Sequence, residues 1–223
     1  MTFYLFSKAI GKAAPILLSV GLLAGIYLYN RLNSMHKSIL LYLFLMLGID
    51  VSSRVLGSFG NNLVILPIFS LIELTFFVYF YNKYLLAKPN KVLIGLGAVG
   101  ALYIISEMLQ YFVFNTLNIK QFQPYAKVAD NFVVIIMALS FFYQKMNSFN
   151  ETRWGNFKLN TVVLIYFTFN TMVFLPFNFM INESSGVKFY FWMANFMLIL
   201  LFYGYLISLI WKSGKRQGKV QLV

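Results

Sequence analysis

Asn62-Leu63-Val64-Ile65-Leu66-Pro67-Ile68-Phe69-Ser70-Leu71-Ile72-Glu73-Leu74-Thr75-Phe76-Phe77-Val78-Tyr79-Phe80-Tyr81-Asn82-Lys83-Tyr84 is an apolar stretch whose one acid, Glu73, lies in its middle. Its length matches the ~20 residues a helix needs to cross a bilayer core of ~30 Å. It lacks the strict alternation of a transmembrane barrel strand, and backbone polar groups in hydrocarbon must be paired within the segment, so a helix is the reading that fits. Working outward, similar apolar runs occupy residues 13–30, 38–57, 92–113, 124–144, 158–178 and 189–211, which with 62–84 makes seven predicted spans. Polar breaks separate them, as at Tyr29-Asn30-Arg31-Leu32-Asn33 and Ala87-Lys88-Pro89-Asn90-Lys91.

The composition points the same way. Of 223 residues, 60% are apolar and 11% charged, and the mean hydropathy is +0.74. A soluble fold wets its surface with about 25% charged residues, so the chain reads as an all-α integral membrane protein. Seven spans use about 140 residues and leave only short loops. The expected organisation is one membrane domain over 1–212 and a basic cytoplasmic tail over 213–223, with no catalytic domain and no enzymatic activity. The aromatic start Met1-Thr2-Phe3-Tyr4-Leu5-Phe6, with no small-residue cleavage site after the first apolar run, predicts an uncleaved amino end. Cysteine is absent and His36 is the single histidine, which excludes disulfides, thiolate chemistry and a zinc site of several imidazoles. No carboxylate spacing forms a loop site for Mg²⁺ or Ca²⁺, so neither metal nor cofactor is expected.

The basic residues set the expected orientation. Arg31, Lys37, Lys83, Lys88, Lys91, Lys145, Arg153, Lys158, Lys212, Lys215, Arg216 and Lys219 collect on one side, twelve in all, against Lys8, Lys12, Lys120 and Lys188 on the other. Basic loops are retained in the cytoplasm, so the N-terminus is expected outside and the C-terminus inside, in a bacterial inner membrane. Charge dispersed over short loops argues against a nucleic-acid partner. The tail Lys212–Lys219 meets anionic headgroups instead, or docks a cytoplasmic protein. Tyr29-Asn30-Arg31-Leu32-Asn33-Ser34 and Tyr143-Gln144-Lys145-Met146-Asn147-Ser148 match in type after the first and fifth spans, consistent with a parallel three-plus-one-plus-three repeat.

The chemistry of the spans is carboxylate chemistry. Of six acids, Asp50, Glu73, Glu107 and Asp130 fall within predicted spans. A charged side chain at the bilayer centre costs about 2.5–3.5 kcal/mol, which directs these groups to the bundle interior or to a water-filled cavity. At ~1.5 Å per residue, Asp130 lies about 8 Å below the outer surface, Asp50 and Glu107 in the outer half and Glu73 near the midplane, a funnel open to the outside. Asp50 and Arg54 stand at i and i+4, the spacing of an ion pair along one helix. Asn62 and Ser70 share the helical face of Glu73, and Pro67 among them is expected to kink the helix and free a carbonyl.

The fourth span adds Tyr103, Glu107, Gln110 and Tyr111 along one stripe, and the fifth adds Gln123, Lys127, Asp130 and Asn131, with Asn170 and Asn195 available to close the ring. Four acids against Arg54 and Lys127 leave a net charge of −2. At least one acid, Glu73 by its depth, is therefore expected to hold a proton at neutral pH. The candidate proton- or ligand-binding set is Glu73, Asp50, Arg54, Glu107, Asp130, Asn62, Ser70 and Asn131. The competing reading is a satisfied polar core in which each acid finds a partner.

Other membrane chemistries are excluded by residue type. The last span, Tyr190–Trp211, has no lysine for a retinal Schiff base. Leu47-Gly48-Ile49-Asp50 lacks the second glycine and the partner motif of intramembrane aspartyl proteases. The stretch Asn61-Asn62-Leu63 with Pro67-Ile68-Phe69-Ser70-Leu71-Ile72-Glu73, preceded by Asp50 and Arg54, resembles a recurring pattern in bacterial seven-helix inner-membrane proteins of similar length. That resemblance implies no activity, only that Asn62, Ser70 and Glu73 belong to the pattern. Three functions remain: a small carrier or permeation protein with an outward-facing, carboxylate-lined, proton-coupled pocket; a seven-helix sensor signalling to a separate cytoplasmic partner; and a non-catalytic assembly subunit glued by buried polar residues. The expected partners are the lipid bilayer, a small molecule or proton, and a cytoplasmic protein at the basic tail.

Overall fold

The computed structural model describes residues 2–59, 63–114, 123–147, 156–177 and 187–220. Among these residues there are seven α-helices and no strand: α1 Thr2–Tyr27, α2 Ser34–Ser58, α3 Ile65–Phe80, α4 Lys91–Met108, α5 Tyr125–Asn147, α6 Phe157–Phe174 and α7 Val187–Val220. Six helical segments, Ser34–Ser58, Ile65–Leu85, Lys91–Tyr111, Tyr125–Asn147, Phe157–Phe174 and Tyr190–Arg216, are long and apolar enough to cross a membrane, and α1 contributes a shorter apolar stretch over Gly11–Tyr27. The distribution of side chains supports this. Leu23, Leu102 and Leu201 are about 70% exposed, while Ser70, Glu73, Lys127, Asp130 and Asn160 are fully buried. A globule in water cannot be arranged that way round, but a bundle solvated by lipid must be. The chain is a multi-pass helical membrane protein.

The sequence breaks act as local stops. Tyr29–Arg31 closes α1 with a 3-10 turn, and Asn33 caps α2 by accepting from the His36 amide at 2.9 Å. Asn90 likewise caps α4 through the Val92 amide at 2.9 Å. Both α3 and α4 end in a π turn, Tyr81–Leu85 and Leu109–Val113. Pro67 does not kink α3. It is the third residue of the helix, where its absent N–H has no helical acceptor to lose, so α3 runs unbroken to Phe80. The seventh helix also departs from expectation, since it continues through the residues read as a tail to Val220. Within it, a Cβ on Gly214 would press on Leu28 at 2.8 Å, so the glycine lets α7 close on the end of α1.

The chain divides into two compact units, one of residues 1–61 with 192–223, the other of residues 62–191. In the first, α1 packs on α2, Tyr42 of α2 meets Phe202 of α7 edge to face at 6.2 Å, and Ser213 approaches the His36 ring at 3.3 Å. In the second, α5 is the central helix, in contact with α3, α4 and α6, and Val134, Met137 and Ala138 along it are fully buried. Phe77 of α3 and Phe167 of α6 meet edge to face at 4.9 Å. Two polar ties fix the ends of this unit. Tyr81 donates to Asn160 Oδ1 at 2.7 Å while Asn160 Nδ2 donates to the Ala138 carbonyl at 3.1 Å. Before α5, Gln123 Nε2 donates to the carbonyls of Phe174 at 3.0 Å and Leu175 at 2.7 Å, covering groups that the end of α6 leaves open.

Candidate functional site

A lysine sits at the centre of the second unit. Lys127, in the first turn of α5, is fully buried, and its ammonium donates to Glu73 Oε2 of α3 and, at 2.7 Å, to Asp130 Oδ2 one turn along its own helix. Glu73 and Asp130 are themselves fully buried. Phe69 presents its ring 4.3 Å from the ammonium and Phe167 at 5.4 Å, so the charge is walled by aromatic faces where it is not held by carboxylates. Beside Asp130, Asn131 donates to Asn170 Oδ1 of α6 at 2.9 Å. Ser70 returns its hydroxyl to the Leu66 carbonyl at 3.0 Å, a bond within α3. Each partner is needed in this setting, because breaking a buried ion pair costs about 3–5 kcal/mol through the charge left uncompensated.

Several polar atoms around this centre are unsatisfied. Among the described residues, Asp130 Oδ1, Asn131 Oδ1 and both carboxylate oxygens of Glu107 are buried without a hydrogen-bond partner. Glu107, in the last turn of α4, is only 5% exposed. Its polar neighbours are the Ala126 amide at the start of α5 and the Tyr103 hydroxyl. The positive end of the α5 dipole is thus turned towards Glu107, which lies in space beside the residue that precedes Lys127. Two carboxylates on one ammonium leave the centre with a formal charge of one negative unit, and Glu107 adds a third acid outside these ion pairs. Among the described residues no group of histidines, cysteines and acids is arranged to hold a metal ion.

The structure brings together Glu73 and Asp130, with Asn131 next along α5, and sets Glu107 against the first turn of α5, while Ser70, one turn before Glu73, is bonded within α3. Asn62 lies outside the described residues. Asp50 and Arg54 belong to the first unit, where they form a two-point pair, Nε to Oδ2 at 2.6 Å and Nη2 to Oδ1 at 3.2 Å, while Nη2 also donates to the Gly11 carbonyl of α1 at 2.5 Å. Their side chains are 44% and 27% exposed, for Arg54 and Asp50 respectively. Glu73 lies about 12 Å into α3, which starts at Ile65, and Asp130 about 8 Å into α5, a difference that the Lys127 side chain spans. Glu73, the acid expected to hold a proton at neutral pH, faces the Lys127 ammonium.

Lys127 was absent from the expected set. Its i, i+3 spacing to Asp130 was visible in the sequence, but its pairing with a residue 54 positions earlier was not. No known family, characterised protein or solved structure matches the chain. The site is therefore read from its own chemistry.

Proposed function

We propose that the protein is a small proton-coupled carrier of polar solutes, with Glu73, Lys127 and Asp130 as its coupling centre. The observation that supports this most is the unequal charge of a fully buried cluster, two carboxylates on one ammonium, with one oxygen of Asp130 left open. In a low-dielectric interior an odd charge has to be neutralised. A proton on Asp130 does so, and leaves the Lys127 ammonium to Glu73 alone. Release of that proton draws the ammonium back between the two acids, so proton occupancy and side-chain position are coupled. Glu107, at the first turn of α5, is the next acceptor along the route. On this reading the twelve-to-four distribution of basic residues keeps the C-terminus in the cytoplasm, the centre is entered from the outside, and α5 to α7 repeat the plan of α1 to α3.

The test is uptake into liposomes of a panel of small polar solutes, with and without an imposed pH gradient. Wild type is expected to accumulate at least one solute faster with the gradient. Asp130→Asn and Glu73→Gln are expected to remain inserted and to lose that dependence. Gradient dependence unchanged in both variants would remove the coupling role from this centre, and no uptake of any solute by wild type would turn the reading to a sensor.

A further inference from the structure

A lipid-facing groove of about 610 Å³ runs between α3 and α4 in the second unit, away from the buried lysine. Its floor is formed by Leu74, Val78 and the small residues Gly97, Ala98 and Ala101. A Cβ on Gly97 would strike Val78 at 2.5 Å, so the depth of the groove depends on that glycine. The polar groups along the walls are already engaged. Thr75 donates to the Leu71 carbonyl at 2.7 Å, Asn82 donates to the Val78 carbonyl at 2.8 Å, and Asn82 Oδ1 accepts from the Asn90 amide at 2.9 Å. Away from Lys83 the polar side chains of the walls are thus satisfied within the protein, so within a bilayer that part of the groove is filled by hydrocarbon.

Its mouth is cationic. Lys83 donates to the Tyr79 hydroxyl at 2.5 Å and lies 4.9 Å and 5.4 Å from the centroids of Tyr79 and Tyr84. Tyrosines are the titratable groups facing it, and none of the ion pairs among the described residues includes it. Lys88, in the connection that follows, and Lys91, the first residue of α4, are exposed and add to the positive charge. From Leu74 to Lys83 the groove spans nine residues, about 13–14 Å, close to half of a ~30 Å hydrocarbon core. It therefore extends through one leaflet, with apolar walls at acyl-chain depth and a held cation at headgroup depth.

We propose that the α3/α4 groove is a binding site for one anionic phospholipid, its acyl chain along Gly97, Ala98 and Ala101 and its phosphate at Lys83. The site requires only that these helices span the bilayer, and stands whether or not the protein is a carrier. Native mass spectrometry of the full-length protein, with phosphatidylglycerol and phosphatidylcholine of identical chains, tests it. Wild type is expected to retain phosphatidylglycerol preferentially. Lys83→Gln should lower that preference about fivefold, the equivalent of ~1 kcal/mol for one lysine near an anionic headgroup. Ala98→Phe, at an exposed position where a larger side chain fits without repacking, should reduce retention of both lipids. An equal preference in wild type and Lys83→Gln, full retention by Ala98→Phe, or an equal loss on the control Lys145→Gln at the far end of α5 would each overturn the site.

Discussion

Lys127 shows what a buried charge demands of its neighbours. With Glu73 and Asp130 both within reach of its ammonium, removing the lysine leaves two acids facing each other without a cation. Lys127→Met is therefore expected to destabilise the protein by about 3–5 kcal/mol. The combination Glu73→Gln, Lys127→Met, Asp130→Asn should recover most of that loss, because no uncompensated charge remains. Melting in detergent at matched concentration checks both, and a triple variant no more stable than Lys127→Met would contradict the charge argument. Arg54 is a contrasting case. Its pair with Asp50 is partly exposed, so a double-mutant cycle of Arg54→Ala and Asp50→Asn should return a coupling smaller than the loss on Lys127→Met. Arg54→Ala should nonetheless cost more than Asp50→Asn, since it also releases the Gly11 carbonyl. The i, i+4 spacing made that pair legible in the sequence. The partner of Glu73 was not legible, because only the packing of α3 against α5 selects it from the available cations.

At the scale of elements, hydropathy located the helices because the bilayer fixes how long an apolar run must be. Their ends depended on local chemistry that hydropathy does not register. Pro67 was visible as a helix breaker, but its effect depends on whether it falls inside a helix or in its first turn, and the start of α3 at Ile65 makes it harmless. Pro67→Ala should change stability by less than about 0.5 kcal/mol, whereas a kink-forming proline would report a larger shift. Gln123 had been read as part of a polar stripe, yet it serves the end of another helix. Gln123→Leu removes two hydrogen bonds from the carbonyls of Phe174 and Leu175 and is expected to cost about 1–3 kcal/mol. Hydrogen exchange should localise that loss to the last turn of α6; protection there equal to wild type would show that Gln123 does not hold it.

For the molecule as a whole, the sequence supported a multi-pass helical bundle through its length, its low charge and its basic loops, and these are properties of the chain summed over many residues. Division into a unit of residues 62–191 and a unit formed by the two ends of the chain was not visible, since it depends on contacts far apart in sequence. Orientation remains a property that charge predicts. A C-terminal reporter active only in the cytoplasm should be active, and its periplasmic counterpart silent; the reverse pair of results would invert the protein in the membrane.

The pairing of Glu73 with Lys127 also sets a timetable for biogenesis. The two residues are 54 positions apart, so a ribosome adding ~5–20 residues per second delivers the lysine about 3–11 s after the glutamate. During that interval α3 has left the ribosome with an acid in its middle and no cation to meet it. The nascent helix must wait in the aqueous shelter of the insertion machinery, or carry a proton into lipid and surrender it when α5 arrives. On either route it is the charged form of Glu73 that enters the bilayer only once α5 is there to receive it.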